Sequence, residues 1–392
     1  MKILFVHERF GSLAGAETNL YITARELSQR GHRVGFLHGP ATGKGEEDWR
    51  LIFPQRYPLG GRRSVDQAIL EFDPDLIYVH KLAELEVLEQ LLLCRRTSVR
   101  MVHDHDIYCM RSYKYNYFTR KICTRPASWR CLLPCMAFVV RNTEGSWPVR
   151  WVSYKDKKRE IRLNHRFDRM LVVTEYMREE LLRNGFQAER ISLMPPVPLP
   201  GESGLRSDFG GRNLILYVGQ IVRGKGVDVL LRALAQVKEP FECVILGDGR
   251  QRSQCERLSE QLGLSQRVRF AGFVPQEQLK EYFRQASMVA ISSVWPEPIA
   301  TVGLEVMRYA LPVVAFDAGG IRDWLIDGHN GFLVEWMNTA LYARRIDELM
   351  ADKEKARQMG QAGFQLVSER YDFAQYIQDL ERLFGDLVAA GG

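Results

Sequence analysis

Short apolar runs alternate with amphipathic stretches through the second half of this chain, and this alternation restricts the fold more than any other feature. The apolar runs predict strands, and the stretches between them predict helices that each bury one face. The predicted strands are residues 214–218, 241–246, 268–273, 288–292, 312–316 and 331–334. The predicted helices are residues 228–237, 251–262 and 276–286, with another that begins near Ile299. Continuous apolar strands joined by helices indicate a doubly wound α/β domain, whose ligands bind at the carboxyl ends of its parallel strands.

The first half of the chain repeats this architecture less regularly. Its predicted strands are residues 3–6, 34–37, 76–79, 99–102, 170–173 and 191–193, and its predicted helices are residues 17–30, 82–92 and 175–184. A Pro- and Gly-rich stretch at residues 194–211 marks the boundary between the halves. Because 392 residues suit two domains, we expect one domain at residues 1–198 and another at residues 199–370. Two such domains facing each other would leave a central cleft for two substrates.

Composition and the first residues place the chain among ordinary globular proteins. The sequence is 46% hydrophobic and 26% charged. The apolar run that follows Met1 is too short for a signal peptide and predicts a first buried strand. No run approaches the roughly 18–20 apolar residues that a membrane-spanning helix needs. We therefore expect a cytoplasmic protein whose seven cysteines are reduced rather than paired.

Two glutamates, Glu297 and Glu305, stand eight residues apart around a predicted helix start. Pro298 suits a first helical turn, where its missing N–H costs nothing. The N–H groups at this start belong to Ile299, Ala300 and Thr301. Unpaired N–H groups at a helix start bind anions such as phosphate. The pattern therefore predicts a phosphate site flanked by two carboxylates, although glutamates beside a helix start are also typical of an ordinary surface.

A second candidate for phosphate binding follows the predicted strand 214–218. Arg223 and Lys225 lie there on a Gly-flanked loop that leads into a helix. Such a loop exposes backbone N–H groups, and two cations offset the charge of a diphosphate. The alternative is a basic surface loop, which the strand, loop and helix order makes less favoured.

Several motifs in this order resemble the retaining GT-B glycosyltransferases (glycosyl transferases group 1, family 4), which carry an E-x7-E motif. Besides Glu297 and Glu305, the similar stretches are residues 15–17, 103–104, 217–228, 246–249, 272–275 and 312–320. The resemblance covers the chain from Met1 to about Tyr371. It implies two Rossmann-like domains facing a central cleft, with a C-terminal helix at residues 371–392 that rejoins the first domain.

The resemblance also implies roles for individual residues. Glu305 would accept hydrogen bonds from the ribose hydroxyls of the donor, and Glu297 would lie beside the donor sugar. Gly15 and Ala16 would approach the donor phosphate from the first domain, although they also fit a plain helix start. His103 would be catalytic, by orienting the sugar near the reacting carbon. The remaining donor-binding positions implied are Arg223, Lys225, Ile299, Ala300 and Thr301. His105 is an alternative to His103, because a side chain two residues along a strand shares its face.

The chain departs from the family pattern at a few positions. Gln220 stands where most of the family carries arginine, and Ile299 and Ala300 replace phenylalanine and glycine. No cofactor is implied, and no divalent metal, because no Asp-x-Asp metal motif is recognised in the loops that would line the cleft. Four cysteines cluster in the first half, at Cys109, Cys123, Cys131 and Cys135. Their spacing lacks a C-x2-C knuckle, which favours free, partly buried thiols over a structural zinc site.

Positive charge is concentrated between Arg100 and Arg169. This segment holds 16 Lys/Arg and 6 Asp/Glu, a net +10, so the rest of the chain carries −4 of the total +6. Aromatic residues interleave with the cations, which is unusual for a surface that only faces water. The combination suits an anionic membrane or a phosphorylated acceptor. Nucleic acid is not expected, because no recognised nucleic-acid-binding module accompanies the charge.

Together these observations predict a retaining glycosyltransferase. It would move a sugar from a nucleoside diphosphate, most simply UDP, to a hydroxyl of a glycan, a lipid-linked acceptor or a small molecule. One alternative is a non-catalytic protein that binds sugar nucleotides on the same fold. A nicotinamide-dependent oxidoreductase is disfavoured, because no G-x-G-x-x-G follows a strand and His38-Gly39 stand where an acidic residue would bind the ribose.

Overall fold

The protein is described here from a computed structural model. It describes residues 1–11, 15–60, 62–141, 147, 149–197, 206–209 and 213–391. The chain divides into two compact units. The first unit comprises Met1–Lys114, Thr124–Val197 and Phe373–Gly392, and the second comprises Tyr115–Cys123 and Pro198–Asp372. Strands and helices are numbered below in chain order.

The first unit is built on a parallel sheet of seven strands. These are β1 (Lys2–His7), β2 (Arg33–His38), β3 (Gln55–Pro58), β4 (Leu76–Val79), β5 (Thr97–Val102), β8 (Arg169–Val172) and β9 (Ile191–Leu193), with β6 (Val139–Arg141) and β7 (Val149–Trp151) forming a separate antiparallel pair. The order in the sheet is β3-β2-β1-β4-β5-β8-β9. The helices are α1 (Gly15–Gln29), α2 (Glu46–Ile52), α3 (Arg62–Phe72), α4 (Leu85–Leu93), α5 (Tyr154–Asn164) and α6 (Glu175–Arg183). The central strands are buried, as expected of a parallel sheet covered by helices.

The second unit contains a parallel sheet of six strands. These are β10 (Leu214–Val218), β11 (Glu242–Leu246), β12 (Val268–Gly272), β13 (Met288–Ile291), β14 (Val313–Phe316) and β15 (Gly331–Val334), in the order β12-β11-β10-β13-β14-β15. Its helices are α7 (Val227–Leu234), α8 (Arg252–Gln261), α9 (Gln276–Gln285), α10 (Thr301–Met307), α11 (Thr339–Ala351) and α12 (Lys353–Arg370). Helix α7 shows how the sequence directs this packing. Its residues Val227, Leu230, Leu231 and Leu234 recur at helical spacing and are all buried.

The last helix, α13 (Phe373–Gly391), belongs to the first unit. It buries Ile377, Leu380 and Phe384, and the Phe384 ring meets the edge of Tyr78 in β4 at a centroid distance of 5.1 Å. The C-terminal helix is therefore part of the core of the first unit.

Both units are Rossmann-like, so the predicted α/β class is confirmed. The predicted boundary segment, residues 194–211, lies largely outside the described residues. One assignment was wrong, because the domain at residues 1–198 was expected to include residues 115–123, and the structure packs them with the second unit. Among the described helices, none is long and apolar enough to cross a membrane.

Candidate functional site

The loop that follows β10 needs glycine at two positions because other groups approach its backbone closely. Residues Arg223–Lys225 form one turn of 3₁₀ helix just before α7. A Cβ on Gly224 would lie 2.4 Å from the ring of Trp295, and one on Gly226 would lie 2.1 Å from the carbonyl oxygen of Ser292. Gly226 also has φ 66°, a left-handed conformation that glycine adopts without strain. These close approaches place the predicted phosphate loop against the segment that carries Glu297.

Glu297 is held as a buried carboxylate in this segment. It is 4% exposed, and its Oε1 accepts hydrogen bonds from Lys225 Nζ at 2.7 Å, from Trp295 Nε1 at 2.8 Å and from the Ser293 hydroxyl. Burial alone would raise the pKa of Glu297, but the Lys225 ammonium and the three hydrogen bonds outweigh it and lower that pKa. The structure therefore joins two predicted site residues, Lys225 and Glu297, in one ion pair.

Glu305 lies on α10, eight residues beyond Glu297, in a different electrostatic setting. Burial raises the pKa of this half-buried carboxyl. A hydrogen bond from Gln276 and the charge of Arg308 act in the opposite direction but do not outweigh burial. Among the described residues, Glu305 makes no ion pair like that of Glu297 with Lys225, which suits it to accept hydrogen bonds from neutral hydroxyl groups.

Helix α10 begins later than the sequence pattern predicted. It starts at Thr301 rather than near Ile299, because Ala300 has a left-handed backbone, φ 58° and ψ 65°. The Ile299 carbonyl accepts a hydrogen bond from the indole N–H of Trp324. Ile299 and Ala300 are therefore loop residues before the helix, and Thr301 is its first residue. Glu305 consequently lies little more than one turn into the helix.

The left-handed Ala300 leads to a stability prediction. A left-handed alanine costs about 1–2 kcal/mol, whereas the greater freedom of glycine in the unfolded chain costs about 0.5–1 kcal/mol. Ala300→Gly should therefore leave the free energy of unfolding unchanged or raise it by up to about 1.5 kcal/mol. The control is Ala233→Gly, because Ala233 is also a buried alanine and lies in α7. This variant should lower the free energy of unfolding by about 1 kcal/mol. Urea titration measures both, and equal losses would contradict the strain at Ala300.

His103 follows β5 in the first unit and belongs to a group of histidines at the carboxyl edge of the sheet. His80 Nδ1 and His103 Nε2 lie 2.8 Å apart and share a hydrogen bond. The two rings stack with their centroids 5.1 Å apart. Burial, then the charges near His103, lower its pKa to about 3. Burial also lowers the pKa of His7 to about 4 and that of His80 well below its usual value. His103 is therefore a neutral hydrogen-bonding group near neutral pH.

The neighbouring candidate, His105, follows His103 by two residues but lies in a different environment. It is buried, and its Nδ1 lies 2.8 Å from the hydroxyl of Tyr108 in the interior.

Gly15 and Ala16 are the first two residues of α1, with Gly15 exposed and Ala16 half-buried. Helix α1 follows β1, and β1 lies in the same sheet as β5, which precedes His103.

Asp104 and Asp106 do have Asp-x-Asp spacing in the loop after β5, which the prediction of no divalent metal overlooked. Both carboxylates bind Lys81, whose Nζ lies 3.2 Å from Asp104 and 2.7 Å from Asp106. Burial and the charge of Asp106 raise the pKa of Asp104. In the part of the chain that the structure describes, no three His, Cys, Asp or Glu side chains form a group suited to a metal. Cys94, Cys109, Cys243 and Cys255 are free thiols.

Two family profiles match the chain in sequence order. Residues 13–197 match Glycosyltransferase Family 4, and residues 206–366 match Glycosyl transferases group 1. The chain belongs to the glycosyltransferase family that these two profiles describe. The D-inositol 3-phosphate glycosyltransferase of Nocardia farcinica is 32% identical over 213 residues, which cover 49% of this chain and 47% of that protein. The chain thus spans about half the length of the curated relatives it matches.

Solved structures resemble the whole chain in fold. HepE of Anabaena, in complex with UDP and glucose, aligns with a TM-score of 0.72 at 20% identity, over 98% of this chain and 100% of that chain. The lipopolysaccharide outer core galactosyltransferase WaaB, in its apo form, aligns with a TM-score of 0.72 at 17% identity, over 98% and 100%. At these identities the likeness establishes the shared GT-B fold.

Sequence reasoning missed two parts of the site in the second unit. Ser293 and Trp295 hold Glu297, but only their nearness to Glu297 in the sequence could have suggested them. The Tyr115–Cys123 segment also packs in this unit. Its contacts join residues more than a hundred positions apart in the sequence, and no local pattern predicts them.

Proposed function

We propose that this protein transfers a sugar from a nucleoside diphosphate sugar, most simply a UDP-sugar, to an acceptor hydroxyl with retention of anomeric configuration. The observation that carries the proposal is the buried, ionised Glu297 paired with Lys225 beside a glycine-rich loop. An ammonium that faces a carboxylate here is also placed to bind a phosphate oxygen. Membership of the glycosyltransferase family supports the reaction class.

The transfer makes one glycosidic bond and breaks one bond between the sugar and a phosphate. The bond between the anomeric carbon and the β-phosphate oxygen breaks, and its electron pair leaves with the diphosphate. The acceptor oxygen bonds to the anomeric carbon on the face that the diphosphate leaves, and its proton passes to the departing phosphate oxygen. The products are the glycoside and the nucleoside diphosphate. The developing charge falls on the diphosphate, so fixed cations and amide dipoles beside it lower the barrier.

The second unit supplies the groups that would bind the donor. Lys225 and Arg223 would bind the diphosphate, together with backbone amides of the segment from Ile299 to Thr301. Glu305 would accept hydrogen bonds from the ribose hydroxyls, and Glu297 would lie beside the sugar. The proposal includes no metal ion, because these two cations would offset the diphosphate charge.

The first unit would complete the chemistry at the sugar. His103, neutral near pH 7, would exchange hydrogen bonds with the sugar near the reacting carbon without adding charge. Gly15 and Ala16 would present the start of α1 to the donor phosphate.

We propose UDP as the nucleotide, supported by the UDP complex of the structurally similar HepE.

A screen of UDP- and GDP-sugars tests this function. Thermal unfolding should shift upwards with the matching donor, and slow hydrolysis should release the nucleoside diphosphate. Stabilisation without hydrolysis or transfer to any acceptor would favour the alternative of a non-catalytic sugar-nucleotide-binding protein. No stabilisation by any sugar nucleotide would contradict both.

We further propose that the first unit binds an anionic membrane and takes a lipid-linked or glycan acceptor from it. Trp147 and Trp151 are 76% and 74% exposed at the β6–β7 pair, and Trp129 and Leu133 are also exposed. Exposed tryptophan beside basic residues is typical of proteins that lie at a membrane interface.

Only some of the basic side chains on α5 are available for this binding, because others already form ion pairs. In α5, Lys157 pairs with Glu160, and Arg159 pairs with Glu86 and Glu89. Lys155 and Arg162 are exposed and make no ion pair among the described residues. They are therefore better targets than the whole cluster of basic residues on this helix.

Charge reversal at Lys155 and Arg162 tests the membrane proposal. Because each basic residue near such a surface contributes on the order of 1 kcal/mol, the double Glu variant should lose most binding to anionic vesicles. Trp147→Ala with Trp151→Ala should weaken binding too. Leu51→Ala with Leu70→Ala is the control, since both leucines are at least as exposed. Co-sedimentation at low and high salt measures binding, and equal binding to neutral and anionic vesicles would contradict the proposal.

A further inference from the structure

Residues Tyr115–Cys123 pack with the second unit, although the chain on both sides belongs to the first. We call this segment the inserted loop. Its ends are closed by an antiparallel bridge between Tyr115 and Ile122 and by the Asn116 N–H, which donates to the Lys121 carbonyl at 2.9 Å. The Asn116 side chain accepts hydrogen bonds from the N–H groups of Phe118 and Thr119, at 3.0 and 2.9 Å. The inserted loop is therefore internally ordered.

The inserted loop contacts Arg223 of the candidate donor site directly and reaches Glu297 through Trp295. The Tyr117 carbonyl accepts a hydrogen bond from Arg223 Nε at 3.2 Å, and the Arg223 guanidinium lies 5.3 Å from the centre of the Tyr117 ring. The Tyr115 ring meets Trp295 edge-on at 6.3 Å, and Trp295 in turn donates to Glu297. Arg223 and Glu297 are thus both supported by residues from the inserted loop.

The strongest contact is the ion pair of Arg120 with Asp228. The guanidinium donates two hydrogen bonds, from Nη1 to Oδ1 at 3.2 Å and from Nη2 to Oδ2 at 2.8 Å. The Arg120 side chain is 11% exposed and that of Asp228 is 21% exposed. A two-point, largely buried pair of this kind is stronger than a surface ion pair.

Asp228 occupies an unfavourable position for an anion-binding site. It is the second residue of α7, three residues beyond Lys225, where the helix start would face the diphosphate. An acidic residue in a first helical turn is ordinary when it stabilises the helix dipole. Beside a diphosphate, however, a free carboxylate would repel the ligand and oppose the charges of Lys225 and Arg223.

We infer that Arg120 is a positioning residue for the donor diphosphate, and that it acts by cancelling the charge of Asp228 at the phosphate end of α7. The inserted loop would thus be part of the donor site. Arg120 has a left-handed backbone, φ 61°, which an arginine rarely adopts. The bidentate ion pair and the hydrogen bond from its N–H to the Asn116 carbonyl, at 2.8 Å, hold it there. The inference rests on the proposed function, because it assumes a diphosphate ligand.

Calorimetric titration with UDP tests this inference. Arg120→Asn removes the guanidinium but tolerates the left-handed backbone, and it should weaken UDP binding about tenfold or more, as expected for a lost charge-assisted interaction. Lys121→Asn removes the same charge one residue away, from an exposed side chain without an ion pair among the described residues, and should change the affinity much less. The double variant Arg120→Asn with Asp228→Asn should recover most of the affinity, because the repulsive carboxylate is gone.

The outcomes separate the inference from the proposed function. If the unaltered protein fails to bind UDP or any other nucleoside diphosphate, the proposed function fails and the inference with it. If that protein binds UDP and the double variant stays as weak as Arg120→Asn, Arg120 acts only by supporting the fold and the inference is overturned. Asp228→Asn alone provides a check should Arg120→Asn fail to fold. It should bind UDP at least as well as the unaltered protein, and weaker binding would overturn the inference.

Discussion

Replacing Lys225 with alanine should lower the rate of sugar transfer about ten- to a hundredfold, because a charge-assisted hydrogen bond to the diphosphate contributes about 1.5–3 kcal/mol. Stability should fall as well, since Glu297 is buried and would lose its cation. Two hydrogen bonds to Glu297 would remain, from Ser293 and Trp295. We therefore expect the variant to stay folded, with a loss of about 1–3 kcal/mol.

A double variant separates these two effects of Lys225. Lys225→Ala with Glu297→Gln removes both charges, so the stability lost in the single variant should largely return while transfer stays slow. Urea titration and initial rates of nucleoside diphosphate release measure the two quantities. Unchanged kinetics in a folded Lys225→Ala protein would remove this lysine from the donor site.

Glu305→Gln should weaken the binding of UDP and of the UDP-sugar alike, about tenfold or more, because the ribose is common to both ligands. Glu297→Gln should weaken only the intact donor. Its affinity for UDP should not fall, since the substitution releases Lys225 from the ion pair. The different surroundings of the two carboxylates support this separation, because Glu297 has a close cation and Glu305 has a hydrogen bond from Gln276.

Calorimetry of both glutamate variants with both ligands measures the separation. Each variant keeps the size of the side chain and removes one charge, so each serves as the control for the other. If Glu297→Gln impaired UDP binding as much as Glu305→Gln, the two roles proposed here would be wrong.

The strands of the second unit were predictable because parallel strands covered on both faces leave continuous apolar runs in the sequence. The predicted strand 214–218 coincides with β10, and the predicted strand 331–334 coincides with β15. Strand β3 escaped prediction, since Gln55–Pro58 is short, edge-placed and ends in proline. The antiparallel pair β6–β7 has only three residues in each strand, too few for a clear period.

The candidate site was only partly predictable for physical reasons. The spacing of Glu297 and Glu305 and the glycines around Lys225 are local signals, and the structure brings Lys225 and Glu297 together. The start of α10 depends on the left-handed Ala300, which the helical pattern did not reveal. The pair of Arg120 with Asp228 joins residues 108 positions apart. Only tertiary packing creates such a contact, so a single sequence contains no sign of it.

A crystal structure of the protein with UDP is the most direct measurement of the proposed donor site. The diphosphate should lie within hydrogen-bonding distance of Lys225 Nζ, with the Arg223 guanidinium and the start of α7 beside it. The two ribose hydroxyls should both reach the carboxylate of Glu305. UDP bound away from Lys225, or with its ribose remote from Glu305, would contradict the proposed function.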